Sequence, residues 1–395
     1  MSAGTRGQPR GHKPTVRTGR GADAPATPRR KPRARGWWRA PRLPTVAALL
    51  VVSAACLLVH ARSVGFGFTH LDDDHLIVDR WERIREVSYI ATGFREPYFP
   101  RLGPNEGYYR PLVTASLVLD AAGRERPDAA PFHRTNVVLH LVSCALLLLL
   151  LEQLGAAPML ALALTMLFAV HPAFTMVVEW IPGRNDLLLG VFLLGAWLAF
   201  GRGALPAWRL ALHLALLFAA LLTKEAAAAL PVLLLAQRWL LDRRGPEPRR
   251  DAALWIGWAL VLAAWWWMRT RVGTGGELIS LAARAGYLRD RLPGLLIGLG
   301  KLILPLDLKP LANQADSSML WGWLALVLLA AAWVAARGAE RRLAVLGALV
   351  FLAFLVPTLA VSNTLLLENR LYLPAVGIAL IAAAACARVP RLMVA

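Results

Sequence analysis

LPTVAALLVVSAACLLVHA, Leu43 to Ala61, is too long for a signal-peptide core and carries no small-residue cleavage pattern, so it reads as a retained membrane span. Working outward from it, apolar runs of about 16 to 22 residues recur along the chain and match the thickness of a bilayer's hydrocarbon core. With 57% hydrophobic residues and a mean hydropathy of +0.49, a soluble domain is excluded. The predicted fold class is an all-α polytopic membrane protein. Spans are predicted at 44–61, 135–152, 156–171, 186–201, 209–223, 226–241, 252–269, 319–336, 343–360 and 372–387, about ten transmembrane helices in all. Cys56, Cys144 and Cys386 fall inside them with no CxxC spacing, as packing residues would.

The formal charge of +19 is concentrated ahead of that first run. Residues 1–42 hold twelve Lys and Arg against the single acid Asp23, a local +11 that leaves +8 for the membrane body. This Gly-, Pro- and Arg-rich stretch has too few apolar residues to fold and is predicted to be a disordered basic cytoplasmic tail. Lying directly before an apolar helix, it is assigned to anionic lipid under the positive-inside rule, and no nucleic-acid partner is expected.

Counting crossings from a cytoplasmic N-terminus decides how to read Tyr287–Leu304. If it does not cross, Arg337, Arg341 and Arg342 fall inside with Arg202, Arg209, Arg243, Arg244, Arg249 and Arg250, as the rule prefers. It is therefore read as a re-entrant or interfacial outer helix, with both termini inside. On this count the transmembrane domain is 43–391. Its extracytoplasmic face collects the long loop 62–134, the 171–184 connection, Lys224-Glu225 and the segment before the last span.

The polar constellations lie on that face. Asp72, Asp73 and Asp74 follow the first span; clustered carboxylates that are partly desolvated gain a raised pKa and suit a general base, or they share a divalent cation. The sequence leaves the metal undecided, and an acidic triplet alone is more often a solvated loop. Arg110, before the apolar stretch to Asp120, and His133, before the second span, are placed to meet a phosphate at a helix N-terminus. Interfacial anchoring explains each about as well. His171-Pro172 ends the third span, and Gly183-Arg184-Asn185-Asp186 starts the fourth, with Asn185 or Asp186 as N-cap and Arg184 left unexplained. Glu179 lies between them. Lys224-Glu225 is either a salt bridge at a tight turn or part of a polar cavity, and Arg370 before the last span is either a headgroup anchor or a phosphate contact.

In their order, Leu71-Asp72-Asp73-Asp74, Tyr109-Arg110-Pro111-Leu112, Phe132-His133-Arg134-Thr135-Asn136, Val170-His171-Pro172, Gly183-Arg184-Asn185-Asp186, Thr223-Lys224-Glu225, Leu304-Pro305-Leu306-Asp307-Leu308 and Arg370-Leu371-Tyr372-Leu373-Pro374 resemble the membrane portion of the transmembrane and tetratricopeptide protein O-mannosyltransferase family and its bacterial relatives. The resemblance runs over about residues 60–380. It implies a type C glycosyltransferase fold, a polyprenyl-phosphate-linked sugar as donor, and a loop carboxylate as base toward an acceptor hydroxyl. Asp72 and Asp73 match the family's paired acids by position, and Asp74 is a less certain third. Arg110, Arg184 and Arg370 match motif positions, and a phosphate contact for each is inferred from its charge. Where the family has a Glu five residues after its His, this chain has Met176, with Glu179 one helical turn on. No tetratricopeptide array follows Arg391, so acceptor recognition transfers least.

The expectation is a hexosyltransferase of a bacterial inner membrane with its active face extracytoplasmic. Asp72, Asp73 and Asp74 are catalytic candidates; Arg110, Arg184 and Arg370 are donor-phosphate candidates; His133, His171, Glu179, Lys224 and Glu225 support them. Its partners are the lipid-linked sugar, an acceptor protein or glycan, and membrane lipid. The rivals are a polyprenyl-lipid or solute transporter, disfavoured by the lack of a convincing internal repeat, and a non-catalytic scaffold.

Overall fold

The computed structural model describes residues 43–99, 108–203, 205–243, 251–272, 281–309, 311–360 and 365–387. The basic tail, the arginines at 244, 249 and 250, and Arg388 and Arg391 lie outside them. The described chain is all-helical, as predicted, with no strand; one isolated bridge pairs Asn313 with Leu365.

Six helical stretches are long and apolar enough to cross a membrane: Pro44–Gly65, Ala130–Leu154, Ile181–Phe200, Ala252–Arg271, Ala339–Leu359 and Glu368–Cys386. Pro158–Ala169 and Pro172–Val178 make a seventh if taken as one span bent by 49°. Of the ten predicted crossings, the remaining three correspond to shorter helices, Ala207–Leu221, Leu230–Leu240 and Leu320–Ala335. The helices used below are α1 (Leu43–His60), α2 (Asp72–Leu76), α3 (Pro111–Ala121), α4 (Ala130–Leu154), α5 (Pro158–Ala169), α6 (Arg184–Phe200), α7 (Ala207–Leu221), α8 (Leu230–Leu240), α9 (Ala252–Arg271), α10 (Leu281–Asp290), α11 (Pro293–Ile303), α12 (Leu320–Ala335), α13 (Ala339–Leu359) and α14 (Tyr372–Cys386).

Local chemistry sets the breaks. Gly155, left-handed at φ 104°, ends α4 as the Ala156 N–H bonds back to the Leu151 carbonyl at 2.9 Å, and Pro158 opens α5 without needing a donor. Pro172 cannot continue α5. His171 fills the gap: its Nδ1 accepts from the Ala173 N–H at 3.2 Å, so its Nε2 carries the proton and donates to the Leu302 carbonyl at 3.1 Å. His171 thereby ties this break to the end of α11. Pro293 likewise splits the predicted 287–304 helix into α10 and α11.

The C-terminal carbonyls of α6 are closed by side chains from two other helices, α7 and α8. Arg209 donates to Ala199 and Phe200, both at 2.9 Å, His213 to Ala196 at 2.9 Å, and Gln237 to Gly201 at 3.0 Å. Trp258 donates in turn to His213 Nε2 at 2.8 Å. Arg209, expected as a loop charge, is therefore a buried helix cap. Elsewhere α13 and α14 cross backbone to backbone: a Cβ on Gly347 would stand 2.5 Å from the Gly377 carbonyl oxygen, and one on Gly377 would meet that of Gly347.

One apolar core joins α1 with α4 to α9 and α11 to α14. A second, smaller core is a difference from expectation. Segment 62–134, anticipated as a long loop, is helical where described: Leu76, Ile77, Trp81, Ile84, Tyr89 and Tyr98 pack on Val113, Leu117 and Val118 of α3 and on Phe132 and Ile181. Its apolar residues come in turns too short to register as spans, yet they bury a common face that holds α2 and Arg110 over the helix ends.

Candidate active site

Arg184 begins α6 and is completely buried. Its Nε donates to Asn136 Oδ1 at 2.9 Å, its Nη2 to the Phe132 carbonyl at 2.6 Å, and its Nη1 to the Ser116 carbonyl at 3.2 Å and to Asp120 Oδ2. Asp120 also accepts from Thr135 at 2.7 Å, and Asn136 Nδ2 reaches the carbonyls of Val178, Trp180 and Ile181. This knot fastens α3, α4 and α6. With each of its three nitrogens on a protein acceptor and no exposure, Arg184 is placed to hold helices, where the sequence suggested a donor-phosphate contact.

Asn185 or Asp186 was expected as the N-cap, and both lie inside α6, whose cap position is Gly183. Asp186 is the one that reaches across the bundle. It lies in the first turn of α6, and its carboxylate bridges outward. Lys224 Nζ meets Oδ1 at 2.6 Å, and Asn369 Nδ2 donates to Oδ2 at 2.9 Å. Lys224 therefore pairs across the bundle rather than with its neighbour Glu225. Beside it Lys301 and Glu368, each 4% exposed, form a 2.7 Å pair, and the Lys309 N–H also donates to Glu368 at 2.7 Å.

The acidic triplet opens α2, and its members separate. The Thr69 N–H and hydroxyl both donate to Asp73 Oδ2, at 2.6 and 2.7 Å, and Asp73 is fully buried with Oδ1 unpartnered. Asp74 pairs with the exposed His70 at 3.1 Å, His70 itself taking a left-handed φ of 56°. Asp72 is half-buried. Burial pushes its carboxyl above the ordinary carboxylate range and Asp73 adds to this, while His75 and Arg110 pull the other way. Among the described residues no three or more His, Cys, Asp or Glu gather as a metal set.

Arg110 stands at the centre of what remains. It precedes α3, whose Pro111 fixes the turn, and the Leu112 N–H donates to the Leu222 carbonyl at 3.3 Å, joining this turn to the one bearing Lys224 and Glu225. Its guanidinium stacks over Tyr108 at 4.4 Å and Tyr98 at 5.5 Å, two rings linked by a 2.7 Å backbone bond. Its Nη2 lies 3.8 Å from Glu225 Oε1, an ion pair too long for a hydrogen bond, and its buried Nε has no partner. Burial pushes Tyr98 up to about 12 against the pull of Arg110. For Glu225 burial acts upward too, but Arg110, its own backbone N–H, Lys224 and Arg269 outweigh it and hold the carboxyl below its usual range.

Arg370 is in electrostatic reach of Tyr108, Asp186 and Arg110. Its Nη1 makes two long contacts, 3.4 Å each, to the Thr358 and Leu365 carbonyls, at the rim of a narrow crevice of about 20 Å³ lined by Ile297, Gly298, Lys301, Leu355 and Leu366. His133 ties the start of α4 to the Gly67 carbonyl at 3.3 Å. Glu179 meets His60 Nδ1 at 3.4 Å, while His60 Nε2 and His140 Nε2 both reach the Ala169 carbonyl freed by the break in α5, at 3.3 and 3.1 Å. The structure thus brings Asp72, Arg110, Glu225, Lys224 and Arg370 together, and places Arg184, His133, His171, Glu179 and Asp74 in separate contacts. Tyr98, Tyr108, Asp186, Lys301 and Asn369 join the site without having been singled out for it. Tyr108, Asp186 and Asn369 stand within two residues of Arg110, Arg184 and Arg370, whereas Tyr98 and Lys301 carry no such signal in the sequence.

Over 188 residues the chain is 34% identical to the protein O-mannosyl-transferase Tmtc1 of Drosophila melanogaster, covering 46% of this chain and 21% of that protein. It is 30% identical over 176 residues to mouse TMTC4 (40% and 23%) and 32% identical over 166 residues to human TMTC1 (40% and 18%), both also protein O-mannosyl-transferases. The chain spans about a fifth of the length of the curated relatives it matches. No protein-family model and no solved structure matches. The resemblance read from the motifs, to the membrane portion of the transmembrane and tetratricopeptide protein O-mannosyltransferases, is borne out by these relatives.

Proposed function

We propose that this relative of the protein O-mannosyltransferases is itself a membrane glycosyltransferase, moving a hexose from a polyprenyl-phosphate donor to an acceptor hydroxyl. The observation that carries the reading is Arg110: a guanidinium nine-tenths buried, framed by two tyrosines, with no hydrogen bond to any of the described residues, in reach of a carboxyl held above its ordinary range. Such a group lacks the oxygen acceptors that a phosphate supplies. Asp72 takes the proton of the acceptor hydroxyl as that oxygen attacks the anomeric carbon. The bond from that carbon to the phosphate oxygen breaks, and the departing polyprenyl phosphate keeps the electron pair, its charge met by Arg110 with Arg370 nearby. Asp73, fixed by Thr69, positions the α2 turn.

On this reading the three shorter helices also cross, for ten spans of a bacterial inner membrane with type C architecture, and the site faces outward. The test is transfer by purified full-length protein from a polyprenyl-phosphate-linked hexose to acceptor peptides and envelope glycans. Loss of transfer in Asp72→Asn, with the protein inserted and folded, supports the reading. Transfer at the parent's rate in that variant overturns it.

A further inference from the structure

We propose that Glu225 is a built-in occupant of the Arg110 anion site, which an incoming phosphate must displace. This rests on the donor-phosphate reading and specifies what guards that site. The carboxylate and the guanidinium face each other at 3.8 Å, close enough to attract and too far to share a hydrogen bond. Both partners are left incomplete, since Arg110 Nε and Glu225 Oε2 are buried without a hydrogen-bond partner. By contrast, the other acid–base pairs of the region are closed, Lys224 with Asp186 at 2.6 Å and Lys301 with Glu368 at 2.7 Å.

A pair kept for stability should close to hydrogen-bonding distance, because a buried charge with unmet donors costs free energy. This one is held open by the turns that carry it: Arg110 is clamped by Tyr98, Tyr108 and Pro111, and Glu225 starts the tight 3-10 turn Glu225–Ala229 ahead of α8. Glu225 is also the more exposed partner, with 39% of its side chain accessible against 10% for Arg110. An anion with three oxygens reaches donors that the carboxylate does not, and Glu225 can swing toward Arg269, with which it already interacts. In the empty site the carboxylate neutralises a cation that would otherwise take up stray anions, and it lowers the apparent donor affinity by the fraction of molecules in which it holds Arg110.

The experiment measures binding of farnesyl monophosphate to the full-length protein in nanodiscs, with farnesol and inorganic phosphate as the two partial probes. Glu225→Gln removes the competing charge and keeps the size, so it should bind farnesyl monophosphate about tenfold more tightly than the parent. Farnesol binding should not change, and inorganic phosphate should gain in the same sense. Arg110→Met should lose phosphate-dependent binding in both backgrounds. If Glu225→Gln binds equally or more weakly while Arg110→Met still abolishes binding, Glu225 only orients Arg110; the occupant proposal fails and the donor reading stands. If farnesyl monophosphate binds no better than farnesol to any of the proteins, both fail together.

Discussion

Arg184 and Arg110 are both buried arginines directly ahead of or at the start of an apolar helix, and they have opposite circumstances. Arg184 is finished: Asn136, Phe132, Ser116 and Asp120 take its donors. Arg110 has two aromatic faces and one distant carboxylate. A guanidinium can be stored in a membrane protein's interior only if its donors are met. The one whose donors are met by protein builds the fold, and the one whose donors are not is available to a ligand.

The comparison breaks most plainly on stability. Arg184→Leu leaves Asp120 and the carbonyls of Phe132 and Ser116 without their donor and should cost about 3–5 kcal/mol, enough to reduce the folded yield in membranes. Arg110→Met removes a charge with unmet donors, and its stability should be unchanged or up to about 1 kcal/mol higher. Thermal unfolding of both in one detergent checks this. Equal losses would make Arg110 a second structural knot.

A similar division separates Asp72 from Asp73. Asp72→Asn should lower turnover by about 10² to 10⁴ with folding intact, as expected for loss of a general base. Folding should even benefit slightly at neutral pH: a folded-state pKa above the unfolded one means that the ionised carboxylate opposes folding once pH passes the ordinary range. Asp73→Asn exchanges an acceptor held by two Thr69 donors for a weaker one, and so should lower both stability and turnover, by about 1–3 kcal/mol in stability. Parallel measurements of unfolding and transfer separate the two outcomes.

Much of this organisation was legible as sequence. The apolar runs place the long helices because burial in lipid demands continuous apolar length, and the bend at His171-Pro172 follows from the missing N–H of proline. Of the residues in the polar motifs, Asp72, Arg110, Lys224, Glu225 and Arg370 come near one another in the fold. What could not be read was partnership. Arg184 looks like Arg110 in sequence, each preceding an apolar run, and only the fold brings Asp120 and Asn136, 64 and 48 residues away, onto its guanidinium. The small core around Trp81 and Tyr98 was missed for a related reason: its helices are too short to show a period and cohere only against α3.

A smaller effect is expected in the pH profile. With the Asp72 carboxyl raised by burial and by Asp73, transfer should fall as pH drops through a value above the ordinary carboxylate range, because the base is then protonated. The Asp73→Asn variant removes the like charge, so the acid limb of kcat/KM should move to lower pH than in the parent. Burial, the larger cause, is untouched, and the limb should stay above that of a solvated aspartate. A limb at the ordinary carboxylate position in both proteins would mean that a different group supplies the base.

Arg370 is the intermediate case and gives the finest test of the contrast. Like Arg184 it touches protein carbonyls, but both contacts are 3.4 Å; like Arg110 it has no short acceptor among the described residues, and it sits at the rim of a narrow crevice. Lysine keeps the charge and loses the planar fork. If Arg370 serves a phosphate, Arg370→Lys should weaken farnesyl monophosphate binding about fivefold, the equivalent of one lost hydrogen bond of about 1 kcal/mol, with the unfolding temperature unmoved. If binding holds and the unfolding temperature falls, the contacts to Thr358 and Leu365 are its purpose. Arg370 then belongs with Arg184, and Arg110 is left as the single arginine for the phosphate among those compared here.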